Sequence, residues 1–269
     1  MRVIGIDLAW GEGSSRKHAN ETGLVAADQS GLIVGAGWTS GLDQTVDWIK
    51  RVGKAGTLLM VDAPLIVSNL SGQRLCERQV GQRYGKWKVS ANSTNRSSRH
   101  LAGVTLLRRL EEIGWRYHDG CDGMRPSVGL HVAEVYPYTT LVGAPELGYD
   151  DERPVDKRKP RSMQLSAFRA RRAANCDDLV DRLARLSTAD PGIDLESHPT
   201  TRALIDEASP LEDRRYKHRE DLIDAVICAW TGLLWLAHGL NRCQILGIGD
   251  HITPVATIIA PTRPEQRSN

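Results

Sequence analysis

Short apolar runs and amphipathic segments alternate along the first quarter of the chain. Residues 2–10 form an apolar run with β-branched side chains, which predicts a buried strand. Two more such runs, at 22–27 and 31–37, flank a short turn and predict a β-hairpin. Apolar residues at helical spacing predict a helix over 42–52, and an apolar run predicts a strand over 57–62. This order is typical of an α/β fold whose helix crosses over to a parallel strand.

The rest of the chain combines loops with helices. Residues 66–100 are poor in periodic apolar positions, so we expect a loop-rich insertion with short helices near 74–80. The strongest helix pattern, 217–238, is apolar on nearly every side and predicts a buried helix packed across the sheet. We expect one domain over 1–260 and a tail over 261–269. The other expected elements are helices at 101–113, 163–186 (interrupted near 175) and 200–208, strands at 130–136 and 255–260, and a loop at 145–161.

Composition and charge restrict the class of protein without identifying a partner. Of the 269 residues, 41% are hydrophobic and 25% are charged, as in ordinary globular proteins, and the formal net charge is +2. The five cysteines have no C-x-x-C spacing, so we expect reduced thiols. No apolar stretch reaches the roughly 18–20 residues of a membrane span, and no signal-peptide pattern is present. We therefore expect a cytoplasmic protein with no membrane partner.

Three predicted strands have an acidic residue at or near their carboxyl ends. These acids are Asp7, Asp62 and Glu134, and ligands of open α/β sheets bind just outside the carboxyl ends of parallel strands. The long helix adds Asp221 and Asp224, which are three residues apart and therefore about 60° apart around the helix axis. If the strands are parallel neighbours, all these carboxylates can meet at one edge of the sheet.

Each acid also has an ordinary structural interpretation. Asp7 and Asp62 can cap turns, Glu134 can pair with an arginine of the insertion, and Asp221 in a first helical turn suits the helix dipole. Together, however, four or five carboxylates on apolar elements would repel one another unless a divalent cation lay among them. Carboxylates without cysteine or paired histidine suit Mg²⁺ or Mn²⁺, so we predict that such a cation binds here.

Five short motifs resemble a known family. In their order and spacing they resemble the domain-of-unknown-function family numbered 429, described as predicted ribonuclease H-like nucleases. The order of elements resembles the ribonuclease H-like superfamily, especially the Holliday-junction resolvases. The resemblance implies an α/β fold, with a mixed sheet of a hairpin plus parallel strands flanked by helices, and it admits a homodimer. The motifs are residues 3–7, 61–65, 72–78, 134–137 and 221–225.

The superfamily resemblance implies two-metal hydrolysis of phosphodiester bonds, with the ions roughly 3.5–4 Å apart. Asp7 would bridge the ions, Asp62 and Asp224 would each bind one of them, and the other acids would add ligands. His218, one turn before Asp221, can shuttle a proton, although a surface histidine at a helix start is the commoner case. The candidate catalytic and metal-binding residues are Asp7, Asp62, Glu134, Asp221 and Asp224.

Two basic segments offer a surface for a nucleic acid, DNA or RNA. Segment 74–99 carries seven cationic side chains against Glu77 alone, with aromatic residues between them, and segment 153–172 carries eight more. A run of charged residues is most often a solvated loop surface. If the predicted fold places these two segments beside the acidic strand ends, however, their cationic side chains can contact phosphate groups. The candidate substrate-binding residues are Arg74, Arg78, Lys86, Trp87, Lys157 and Arg161.

Two other functions stay open at this point. An actin-like or sugar-kinase phosphotransferase also begins with an aspartate strand followed by a Gly-rich phosphate loop, and residues 11–15 give that idea some support. The bulky residues 8–10 and the lack of a second Gly-rich nucleotide motif argue against it. The other function is that of a nucleic-acid-binding module that has the same fold but no catalytic activity.

Overall fold

A six-stranded mixed sheet forms the centre of the fold, with the strand order β3-β2-β1-β4-β6-β5. The computed structural model describes residues 1–9, 20–126, 128–151, 159–250 and 253–266. The Gly-rich segment 11–15 and Lys157 lie outside these described residues. The strands are β1 (Arg2–Asp7), β2 (Glu21–Asp28), β3 (Ile33–Ser40), β4 (Thr57–Val61), β5 (Arg116–Tyr117) and β6 (Leu130–Glu134).

The sheet is a hairpin joined to parallel strands, as the sequence predicted. β1, β2 and β3 pair antiparallel in succession, whereas β1 pairs with β4, and β6 with both β4 and β5, in parallel. The side chain of Asp28 fixes the hairpin turn, since its Oδ1 accepts hydrogen bonds from the backbone N–H groups of Ser30 and Leu32. This strand order and these directions are consistent with the ribonuclease H-like arrangement.

Helices cover both faces of the sheet. Ile4 and Ile6 of β1 pack with the apolar sides of the first and third helices, whereas Val3 belongs to the core around the last helix. Consecutive residues of a strand point to opposite faces, which explains this division. The helices are α1 (Leu42–Val52), α2 (Leu75–Tyr84), α3 (Ala102–Glu111), α4 (Pro137–Gly143), α5 (Leu165–Ala184), α6 (Pro199–Asp206) and α7 (Asp213–His238).

Helix α7 packs unusually close to β1 and β2 because glycines face it. A Cβ atom at Gly5 would lie 2.1 Å from the carbonyl oxygen of Ala225, and one at Gly23 would lie 2.0 Å from that of Asp221. By length and composition the stretch Asp213–Asn241 is apolar enough to cross a membrane, contrary to the sequence expectation. In the fold, however, 78% of its most apolar window is buried, as in the core helix of a globular domain.

Several elements differ from the sequence expectations. The insertion holds the ten-residue helix α2, longer than predicted, and α5 runs through Asn175 without interruption. α4 and a strand, β7 (Cys243–Leu246), were not predicted; β7 pairs antiparallel with β8 (Ile258–Pro261). The expected tail begins inside the fold, because Arg263 is buried, pairs with Asp150 and donates to the carbonyl oxygen of Val142.

Candidate functional site

Asp7 and Asp62 lie side by side where two parallel strands end. Asp7 is the last residue of β1, and Asp62 directly follows β4. The strands pair Ile6 with Val61, and the N–H of Asp62 donates to the carbonyl oxygen of Ile6 at 2.8 Å. The sheet therefore brings these two predicted site residues together, and the backbones that carry them are about one strand spacing, 4.7–4.9 Å, apart.

Helix α7 adds Asp221 and Asp224 to the same place. Both side chains are buried, and the carboxyl groups of Asp221 and Asp7 lie within hydrogen-bonding reach of each other. Burial raises the pKa of the Cys228 thiol, and the charges of Asp62, Asp7 and Asp224 raise it further, so all three carboxylates lie around this turn of α7. Four of the five predicted acids thus converge; they form the acidic cluster of Asp7, Asp62, Asp221 and Asp224.

The ammonium group of Lys217 lies among these carboxylates. Its Nζ is 3.6 Å from Oδ2 of Asp7 and 3.1 Å from Oε2 of Glu220, and it also contacts Oδ1 of Asp221 directly. The Lys217 side chain is 56% exposed, so it reaches the cluster from the solvent side. Sequence reasoning missed this residue, although the i, i+3 and i, i+4 spacing to Glu220 and Asp221 is the signal that could have found it.

Burial and neighbouring charges shift the pKa values of Asp221 and Lys217. Burial raises the pKa of Asp221 to about 6 although Lys217 acts in the opposite direction. Burial would lower the pKa of Lys217, but the carboxylates of Asp7, Glu220, Asp221 and Asp224 outweigh it and raise that pKa well above its ordinary value. The carboxylates around Lys217 therefore hold it in the charged form, whereas burial favours the neutral form of Asp221.

The donor chemistry of the acidic cluster fits Mg²⁺ or Mn²⁺. All four side chains offer hard carboxylate oxygens, and a cationic group already lies between two of them. Among the described residues, however, no group of three or more His, Cys, Asp or Glu side chains is arranged so that it could hold a metal ion. In this arrangement Asp7 and Asp221 contact the ammonium of Lys217 instead, so a divalent ion would have to replace that ammonium.

Glu134 does not join the cluster, which corrects the sequence expectation. Arg74 donates from Nη1 and Nη2 to its two carboxylate oxygens at 2.8 and 2.6 Å, and the N–H of Leu65 donates to Oε2. Glu134 pairs in register with Val61, which belongs to the core on the α1 and α3 side of the sheet. The alternation of a strand therefore turns Glu134 away from the face that carries Asp7.

The predicted substrate-binding residues divide into three groups. Arg74 is buried and held by Glu134 and Glu77, and Trp87 is buried with its indole N–H donating to the carbonyl oxygen of Asp150, so both stabilise the insertion and are not open to a substrate. Lys86 is exposed and pairs with Glu265, 3.0 Å away. Arg78 and Arg161 are exposed, and Lys157 lies outside the described residues.

His218 lies at the surface, as in the commoner of its two interpretations. Its side chain is 42% exposed, its Nδ1 is 2.6 Å from Oε2 of Glu21, and its ring stacks on Trp38. It follows Lys217 directly in α7 and so stands next to the acidic cluster. Trp38, which sequence reasoning did not single out, is therefore part of the surroundings of the site.

One family model matches most of the chain. Residues 5–245 match the model of a family described as "Protein of unknown function (DUF429)". The match spans every residue of the acidic cluster together with Lys217 and Trp38. No curated protein and no solved structure matches the chain.

Proposed function

Given that the chain belongs to the DUF429 family, whose function is unknown, we propose that it is a nuclease that hydrolyses phosphodiester bonds with Mg²⁺ or Mn²⁺. The observation that carries the proposal is the convergence of Asp7, Asp62, Asp221 and Asp224 at the carboxyl ends of β1 and β4. Asp221 and Asp224 are buried and Asp7 and Asp62 are half-buried, and carboxylate oxygens gathered in this way are the ligands that Mg²⁺ and Mn²⁺ prefer. This arrangement favours a cation-binding function over a purely structural one.

The residues of the cluster would hold the ions from two sides. Asp7 lies between Asp62 on the neighbouring strand and Asp221 on α7, so it is the residue placed to bridge. Asp62 and Asp224 would bind on either side of it, and Asp221 would complete the oxygen ligands. Divalent ions held in this way activate a water molecule and stabilise the leaving oxygen in phosphodiester hydrolysis.

Lys217 has a part of its own in this proposal. Its ammonium neutralises Asp7 and Asp221 when no divalent ion is bound, and its exposed side chain can leave without disturbing the core. Once displaced, the ammonium stays within one side-chain length of the cluster, where it can contact a phosphate oxygen of the substrate. Lys217 would then be a positioning residue for the phosphate.

The test is a cleavage assay with labelled single-stranded, duplex and branched DNA and RNA in Mg²⁺ or Mn²⁺. Asp7→Asn and Asp62→Asn each remove one ligand charge with little change of shape, so we expect at least a hundredfold loss of rate, about 2.7 kcal/mol. Asp47→Asn, at an exposed position of α1, is the matched control and should cut like the wild type. If both site variants cleave as fast as the wild type, the proposal is wrong.

A further inference from the structure

The first turns of α5 and α7 meet next to the acidic cluster. Arg169 of α5 donates from Nε and Nη2 to the two carboxylate oxygens of Asp213, the first residue of α7. Arg172 of α5 donates from Nη2 to Oδ1 of the same carboxylate at 2.8 Å. Further along, Asn175 of α5 lines the same narrow pocket as Asp224 of α7. The two helices therefore run side by side in the same direction, and α5 passes the cluster.

A short path along α7 joins these two arginines to the cluster. Asp213 and Lys217 are four residues apart, so they lie on one face of α7, about 6 Å apart along its axis. Lys217 in turn contacts Asp7 and Asp221. The two guanidinium groups that hold Asp213 thus lie about one helical turn beyond the ammonium of Lys217, on the side of α7 that faces the cluster.

Positive charge exceeds negative charge where these helices begin. Residues 159–172 carry five cationic side chains and no acidic one, and residues 212–217 carry three cationic side chains against two acidic ones. Two guanidinium groups share the single carboxylate of Asp213, so one positive charge is left over there. α5 has no acidic residue in its first turn, so its dipole adds partial positive charge. This end of the two helices therefore attracts anions.

The two arginines differ in what they offer to an anion. Arg172 is 11% exposed and its Cζ lies 3.9 Å from the centroid of the Tyr216 ring, so its guanidinium is held in place. Arg169 is 34% exposed, and its pairing with Asp213 uses two of the five N–H groups of a guanidinium. Arg169 therefore keeps N–H groups that can donate to a phosphate oxygen, whereas Arg172 fixes the carboxylate that orients it.

We infer that Arg169 and Arg172 bind a backbone phosphate of the nucleic acid next to the phosphate that is cleaved. The inference rests on the proposed function, and it adds the surface that positions the substrate. Lys217 would contact the cleaved phosphate, and one nucleotide of an extended strand can span the helical turn between the two places. Arginine suits phosphate oxygens, and phosphate contacts fix the position of a strand without reading its sequence. Binding should therefore depend strongly on salt and little on sequence.

The test measures binding without catalysis. The anisotropy of a fluorescein-labelled DNA or RNA strand is titrated with the full chain in EDTA at several salt concentrations. We expect Arg169→Ala to weaken binding about tenfold and to lower the slope of log K against log salt by about 0.7, as for one lost phosphate contact. Asp213→Asn should strengthen binding instead, because it removes the negative charge beside the arginines. Arg51→Ala, exposed on α1 on the other face of the sheet, is the control and should bind like the wild type.

The opposite signs of the two substitutions separate phosphate binding from a structural role. If Arg169 and Asp213 only hold α5 against α7, both substitutions break the same pair and change binding in the same direction, which overturns the inference. A wild type that binds no strand also overturns it. In the cleavage assay Arg169→Ala should raise KM several-fold with kcat unchanged. An unchanged KM, with cleavage that still depends on Asp7, would contradict the arginine surface alone and leave the nuclease proposal standing.

Discussion

The ammonium nitrogen of Lys217 lies 3.6 Å from Oδ2 of Asp7, so a residue of α7 partly neutralises the carboxylate at the end of β1. The same ammonium contacts Asp221, which the close approach of α7 to Gly23 brings to the end of β1. A lysine in this position does what a divalent cation would do, with half the charge. We therefore propose that Lys217 occupies a cation site.

Lys217→Met should make the protein depend on divalent cations for stability. In EDTA the carboxylates lose a counter-charge, and we expect the free energy of unfolding to fall by about 1 kcal/mol, a value kept small because the side chain is exposed. Mg²⁺ should then stabilise the variant more than the wild type, because it no longer competes with the ammonium. Chemical denaturation with and without Mg²⁺ measures both effects. Lys50→Met on α1 is the control, and an equal response of both variants to Mg²⁺ would contradict the proposed role of Lys217.

Asp221→Asn should stabilise the metal-free protein at high pH. Because the folded-state pKa of Asp221 is raised to about 6 from its ordinary 3.8, the folded state holds this proton more tightly than the unfolded state. The stability due to this proton is complete below about pH 4 and is lost as the pH rises to about 6. We expect the neutral asparagine to exceed the wild type by about 1–3 kcal/mol at pH 8 in EDTA, and to lose that advantage near pH 4. A variant less stable than the wild type at pH 8 would contradict this cause of the shift.

Much of the fold could be predicted because its signals are local. α1 was predicted with its observed bounds, since an amphipathic helix on a sheet has a clear apolar stripe. α4 was missed because all seven of its residues are buried, which leaves no polar side to reveal the helical period. β7 was missed because four residues are too few to show alternation.

The sequence predicted the placement of the candidate residues correctly where it depends on the end of a strand, and wrongly where it depends on the register between strands. Asp7 and Asp62 end neighbouring parallel strands, which sequence order alone indicates. Glu134 pairs with Val61, the residue before Asp62, and therefore lies one position before the row of Asp7 and Asp62. Only the pairing of β4 with β6 shows on which face of the sheet its side chain lies. Its partner Arg74 belongs to the insertion. The insertion has few periodic apolar positions, so the sequence did not predict how it folds.

Gly23→Ala should separate α7 from the end of β1. The added Cβ would lie 2.0 Å from the carbonyl oxygen of Asp221, so the helix has to move. We expect unfolding free energy to fall by about 1–3 kcal/mol and metal-dependent cleavage to fall with it. Gly35→Ala on β3 is the matched control, because its nearest neighbour would be 3.5 Å away at the ring of Trp48. Cleavage that survives in Gly23→Ala would show that Asp221 need not stay close to Asp7.

Glu134→Gln should affect stability and leave metal binding intact. The substitution leaves the buried guanidinium of Arg74 without its main counter-charge, which costs about 3–5 kcal/mol in comparable buried pairs. Glu265→Gln removes the exposed partner of Lys86 and should cost less than about 1 kcal/mol. Thermal unfolding compares the two variants, and Mn²⁺ titration follows on the folded protein. Loss of Mn²⁺ affinity in a stably folded Glu134→Gln variant would return Glu134 to the metal site.

A Mn²⁺ titration followed by electron paramagnetic resonance, in which free Mn²⁺ is counted, tests whether the acidic cluster binds a divalent ion. We expect that the wild type binds Mn²⁺, that Mg²⁺ displaces it, and that Asp7→Asn weakens binding by about 10–100-fold while Asp47→Asn does not. A wild type that binds no Mn²⁺, or an Asp7→Asn variant that binds it as tightly, would contradict the claim that the acidic cluster is a metal site.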